Sequence, residues 1–137
     1  MQRLMSRILP IVNDEDAPYW KGGVDGSLHF PQCQSCGYIL HPPSAVCPQC
    51  HSRDLKFITL SGLGVIRTFT INHHPWIPDV EVPYVIAIVA LEEQEDLCIM
   101  TNIINIDPGK VTIGMKVRVR FEACEDDIYL PLFEPMD

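Results

Sequence analysis

The chain has 137 residues, 47% hydrophobic and 20% charged, with ten Lys and Arg against eighteen Asp and Glu for a net charge of −8. That length holds one ordinary domain or two small modules, and the composition excludes disorder over most of it. The acidic balance also weighs against nucleic acid as a ligand, because a phosphate backbone needs a basic footprint.

Residues 1–13 read as a loosely ordered lead-in, with two arginines but no apolar core of secretory length. The longest apolar run, Tyr84 to Leu91, is far too short to span a bilayer, so a cytoplasmic protein is expected. Asn13 or Asp14 is placed to cap a short helix through Tyr19 and Trp20, and acidic residues favour its start. Gly22, Gly23 and Gly26 then rule out a long helix. Tyr19 and Trp20 are read either as packing residues or as an arm that grips another subunit. Ser27 to Phe30 is a short strand leading into the next segment.

That segment, CQSCGYILHPPSAVCPQC at 33–50, holds four of the six cysteines as two CxxC pairs. In a reducing compartment such pairs point to metal rather than disulfides. Zinc takes four soft ligands in a tetrahedron, and each CxxC turn brings two sulfurs to one side of the ion. We expect one structural zinc per chain, held by Cys33, Cys36, Cys47 and Cys50, with no position left for an activated water. The competing reading keeps the cysteines metal-free or oxidised. Gly37 stands where such a turn often needs positive φ, and Pro48 stiffens the second turn. His41 and His51 are read as spare ligands or bystanders. A zinc tetrathiolate would take the net charge to about −10.

From about residue 55 the pattern is β. Strands are expected over 64–74, 82–93, 97–106, 115–123 and 128–135. The second is apolar on both faces and so reads as buried on both. The fourth alternates, with Met115, Val117, Val119 and Phe121 inward and Lys116, Arg118 and Arg120 outward. The last carries a proline, which suits an edge. Five strands with almost no helix suit a small closed or partly open barrel. Cys98 reads as core rather than nucleophile; His73 and His74 are its only remote candidate bases. No paired carboxylates, nucleophile elbow or phosphate-cradling glycine loop mark a free-standing enzyme.

Two surfaces invite a partner. The proline-rich connection at 73–83 carries Trp76, Ile77, Val80 and Val82, which either form a contact surface or fold back on the barrel. Tyr129, Leu130, Leu132 and Phe133 pose the same choice. We therefore expect partner contacts at Tyr19, Trp20, Trp76, Ile77 and Phe133. Lys116, Arg118 and Arg120, with Arg67 across the sheet, form either an anion contact, such as for CoA phosphates, or a solvated strand face.

The ordered series DAPYWKGGVDGSLHFPQCQSCG, CQSCGYILHPPSAVCPQC, GLGVIRTFTINHHP, VPYVIAIVALEE, IMTNIINIDPGKVTIGMKVRVRFE and LPLFEP resembles the thiolase-associated zinc-ribbon plus OB-fold family, formerly a domain of unknown function. The family carries a basic residue after the paired prolines; here Ser44 follows Pro42 and Pro43, which weakens an anion contact at the ribbon. The resemblance implies a mainly β chain: a helical arm at 1–30, a rubredoxin-like ribbon at 31–58 and a five-stranded OB barrel at 59–137. It also implies a non-catalytic subunit needed for the assembly and activity of a thiolase-fold acyl-CoA enzyme. That enzyme is a lipid-transfer-protein-type aldolase of steroid side-chain degradation, or an acyltransferase or thiolase; some relatives are fused or bound to acyl-CoA hydratases. The partner would supply the catalytic groups and most of the CoA site, in a hetero-tetramer. The alternative is an acyl-CoA binding or channelling module, with single-stranded nucleic acid ranked below both.

Overall fold

In the computed structural model, which describes residues 8–136, the first regular element is prepared by a turn rather than by a cap. Residues 1–7 of the expected lead-in and arm lie outside the described residues. The Asn13 side chain accepts from the amides of Glu15 (2.9 Å) and Asp16 (3.1 Å), while Asp16 accepts from the amide of Asn13 (2.9 Å). Helix α1 (Ala17–Lys21) starts after Asp16, so the expected Asn13 cap acts one turn early. Five residues later the chain tightens into a 3-10 turn, Gly22–Asp25. Gly23 is pressed against the barrel so closely that a Cβ would lie 2.5 Å from the Phe121 ring, which no side chain tolerates.

Strands β1 (Leu28–Cys33) and β2 (Leu55–Leu60) pair antiparallel from Leu28↔Leu60 to Cys33↔Leu55, with the cysteine segment between them. This two-stranded sheet runs across both expected module boundaries. Five more strands follow: β3 (Leu63–Asn72), β4 (Tyr84–Leu91), β5 (Cys98–Ile103), β6 (Lys116–Ala123) and β7 (Tyr129–Pro135). They close into a barrel in the order β3-β4-β5-β7-β6, the OB arrangement. The chain is thus mainly β, with one short N-terminal helix, as the sequence implied.

Two strand readings need correction. Along β4, Val85, Ala87, Val89 and Leu91 are buried, but Tyr84, Ile86, Ile88 and Ala90 are only half-buried. The barrel interior takes one face of β4, and the chain covers the other incompletely. β7 is not an edge: it pairs with β6 from Val117↔Pro135 to Ala123↔Tyr129, and with β5 at Ile103↔Phe133. Pro131, within β7, is tolerated because pairing to β5 is reduced to that one residue pair. Beside the gap the Thr101 hydroxyl donates to the carbonyl of Pro131 (2.9 Å).

Closure by β7 turns Phe133 inward, where it is fully buried among Val85, Val117 and Ile103 in the core cluster. Phe133 is therefore a core residue of this chain rather than the exposed contact expected from sequence. Tyr19 is corrected in the same way: it is buried, its ring 5.6 Å from Phe30 and 5.1 Å from His41. Along β6 the expected alternation appears, with Val117 buried and Lys116, Arg118 and Arg120 exposed. Cys98, expected in the core, pairs with Ala90 on the outward register and is partly exposed.

Candidate metal centre and its surroundings

The two CxxC turns are built alike. In the first, the Gly37 amide donates to the Cys33 carbonyl (2.9 Å) and the Cys33 amide to the Tyr38 carbonyl (2.8 Å). In the second, His51 donates to Cys47 and Cys47 to Ser52, both at 2.9 Å. The residue after the second cysteine has positive φ in each, +83° at Gly37 and +65° at His51. Of the two readings of His51 the structure bears out the bystander: it is exposed and outside the four-sulfur cluster. It occupies the left-handed position, at a cost of about 1–2 kcal/mol relative to glycine.

These turns bring the Sγ atoms of Cys33, Cys36, Cys47 and Cys50 within 4.8 Å of one another. Cys33–Cys50 and Cys36–Cys47 lie 3.5 and 3.6 Å apart. Tetrahedral zinc with bonds of about 2.3 Å separates its sulfurs by about 3.8 Å, so the donor set fits. Backbone amides already favour thiolates there: those of Cys36 and Ser35 draw the Cys33 thiol down to about 6. At Cys36 the Tyr38 amide favours ionisation, but burial and the three neighbouring sulfurs push the free thiol up to about 12. Zinc displaces such protons on binding, and a four-sulfur shell leaves it structural.

Neither His41 nor the loop histidines join the cluster. The His41 ring stacks on Phe30 (4.7 Å, 12°), and its Nδ1 is buried without a hydrogen-bond partner. Burial pushes its imidazole from 6.5 down to about 4. The unfolded chain therefore binds the extra proton first. Stability is full above pH 6.5 and falls as pH drops towards 4, by roughly 3 kcal/mol in all. Denaturant unfolding of the zinc-loaded chain should show this slope, and His41→Phe should flatten it. An unchanged slope in the variant would assign the acid sensitivity to the thiolates.

The ribbon is fastened to the turn between β4 and β5 by side-chain hydrogen bonds. Gln94, in the turn between β4 and β5, accepts from the Ile39 amide (3.0 Å) and donates to the Ile39 carbonyl (2.9 Å), as a neighbouring strand would. Tyr38 adds a bond from its hydroxyl to Asp96 (3.0 Å).

The four basic residues do not converge. Glu134, nearly buried, takes Arg118 at 2.9 Å, Arg120 at 3.6 Å and the Asn105 amide at 2.6 Å. The Asn105 amide and then Arg118 hold its carboxyl below the usual range against the cost of burial. Arg67 instead donates to the Glu95 carbonyl (3.1 Å). Lys116 is exposed on β6, opposite Val65.

Of the expected contact residues, Trp76 is 71% exposed, while Trp20 and Ile77 are half-buried. Trp76 is held out by a bond from its Nε1 to Asn72 (2.9 Å) and a ring contact with His74 (4.3 Å). His73 and His74 follow the β3 end opposite Tyr84, six β4 residues from the Ala90–Cys98 pair. At about 3.3 Å per residue that is roughly 20 Å, too far to serve Cys98 as a base. Gln94, Glu134 and the outer face of β4 were not found from sequence. An amide in an acidic turn and a lone acid near the terminus gave no pattern to read.

A four-cysteine ribbon seated on a five-stranded barrel defines a zinc-ribbon OB-fold protein. Residues 20–56 match a family model described as "ChsH2, rubredoxin-like zinc ribbon domain", and residues 58–122 one described as "ChsH2, C-terminal OB-fold domain". The chain is 35% identical over 98 residues to a DUF35 domain-containing scaffold protein of Methanocaldococcus jannaschii, covering 70% of this chain and 68% of that one. It is 33% identical to a probable enoyl-CoA hydratase alpha subunit of Thermomonospora curvata, covering 92% of this chain. It is 31% identical to the 3-oxo-4,17-pregnadiene-20-carboxyl-CoA hydratase alpha subunit of Mycobacterium tuberculosis, covering 82% of this chain. It spans only 39% and 35% of those two subunits. Among solved structures, a chain of an Ltp2-ChsH2(DUF35) aldolase superposes with a TM-score of 0.83 at 32% identity, covering 93% of this chain and 98% of that one. The chain belongs to this DUF35 family of ChsH2-type proteins, and its four-cysteine cluster is the family's structural zinc site.

Proposed function

We propose that this chain is a non-catalytic accessory subunit of a thiolase-fold acyl-CoA enzyme, of the lipid-transfer-protein aldolase type. The observation that carries the reading is the match over 98% of a chain from an Ltp2-ChsH2(DUF35) aldolase. The same ribbon-and-barrel unit matches only about a third of longer hydratase subunits, so it behaves as a module attached to different acyl-CoA chemistries. A saturated metal suits a scaffold, since it presents no position for substrate.

In this reading the partner provides nucleophile, acid and base. This chain orders the partner's loops and excludes water from the entrance to the shared site. The assembly is a two-plus-two hetero-tetramer working in the reducing cytoplasm on a bulky, steroid-type side-chain thioester. CoA lies mainly on the partner, because Arg118 and Arg120 are already engaged by Glu134. Trp76, Trp20 and Ile77 are the proposed contacts. No helix among the described residues is long and apolar enough to cross a membrane.

The test is to tag the chain in its own cells, purify what accompanies it, and assay the parts. A thiolase-like subunit should co-purify, and acyl-CoA turnover should require both chains. Turnover by the isolated chain would overturn the proposal.

A further inference from the structure

In ligand-binding OB-folds the outer face of the second and third strands carries the ligand. Here those strands are β4 and β5. The register sets Thr68, Ile88 and Met100 in one outward row and Val65, Ala90 and Cys98 in the next. Ile86 and Asn102 continue the face. Its β4 and β5 residues carry no charge, although 20% of the chain is charged; Arg67, in the β3 bulge, and Lys116, opposite Val65, border them. Met100 is 71% exposed and Val65 39%. Past Met100 the face opens into a groove of about 190 Å³ between β5 and β7, where the two strands share one residue pair and Trp20, Leu130 and Pro131 form the walls.

Nucleic acid does not suit this face: Arg67 is already bonded to the Glu95 carbonyl, Lys116 stands at the border, and the rings of Tyr84 and Trp20 are half-buried rather than laid out as a stacking platform. An acyl chain does not suit it either: the sheet is open, and the groove falls below the roughly 300 Å³ at which small-molecule sites begin. A second copy would bring another −8 of charge against the first. The border supplies the remaining argument. β5 and β7 run parallel, so the turns leading into them lie at one end of the barrel, and both are acidic: Glu92, Glu93, Glu95 and Asp96 in one, Glu125 to Asp127 in the other.

We infer that the outer β4–β5 face and its groove are the docking surface for a different polypeptide, whose apolar contact is flanked by Lys or Arg that meet the acidic turns. The inference rests on the accessory-subunit reading and locates its interface. A partner aliphatic side chain fills the groove beside Trp20, and the charged border sets orientation and association rate more than affinity.

The test uses the full chain and the thiolase-like subunit recovered with it. Met100→Glu places a carboxylate on the face at an exposed position, and Ile113→Glu, at an exposed apolar position off it, is the control. With zinc content and melting temperature unchanged in both, Met100→Glu should weaken assembly by at least about tenfold. Ile113→Glu should leave it within about twofold, and added salt should slow association. Wild-type affinity in Met100→Glu would overturn the docking surface while leaving the accessory role intact. A homodimer that Met100→Glu disperses would overturn the heteromeric occupant. Failure to recover any thiolase-like subunit would overturn both.

Discussion

Cys33→Ser or Cys47→Ser should reduce bound zinc from one per chain to none and unfold residues 33–54, while the barrel persists. Both cysteines are buried in the ribbon, and their carbonyls and amides close the two turns. Structural zinc contributes about 10–16 kcal/mol to small metal-folded units, far more than this segment can recover from its own apolar burial. The barrel's share of the core, Ile66, Val89, Ile99 and Phe133 among it, comes from strands that carry none of the four sulfur ligands, so it should persist without the metal. Metal analysis gives the stoichiometry. Hydrogen exchange gives the extent: amides such as Cys33, Leu40 and Cys47 should lose protection, and those of β4 should keep it. Equimolar zinc and full protection in Cys33→Ser would show that the ribbon stands without its sulfurs.

Phe133→Ala should destabilise the chain by about 3–5 kcal/mol. The ring is fully buried where the barrel closes, so truncation leaves a cavity that neither β5 nor β6 can fill without breaking its pairing. For a chain of this size the melting temperature should fall by roughly 10 °C or more. Trp76→Ala makes the contrast. Its side chain is mostly in solvent, so stability should change by less than about 0.5 kcal/mol while any loss of assembly is read directly. If Phe133→Ala melted normally and failed only to assemble, Phe133 would return to the partner surface.

The metal site was legible because its geometry is local: CxxC spacing and the position of Gly37 determine the first turn within five residues. The second turn was half legible, since a histidine in the left-handed position looks like a ligand until its φ is known. Among strands, β6 was plain because charge and apolar residues alternate along it. β4 was not: eight uncharged residues in a row erase the period of two that separates an inner from an outer face. YLPLFEP read as an edge because the proline was visible, while the pairing that encloses it, Ile103↔Phe133, spans thirty residues of sequence. Gln94 makes the same point, since its partner Ile39 lies 55 positions away.

The Gln94 clamp has a mechanical consequence. The turn that grips the ribbon at Ile39 is also the turn from which β5 departs, so the metal-stapled knob and the uncharged sheet face move as one piece. A protein that touches both meets two patches already set at their working angle. Little further orientational entropy is lost when the second contact follows the first.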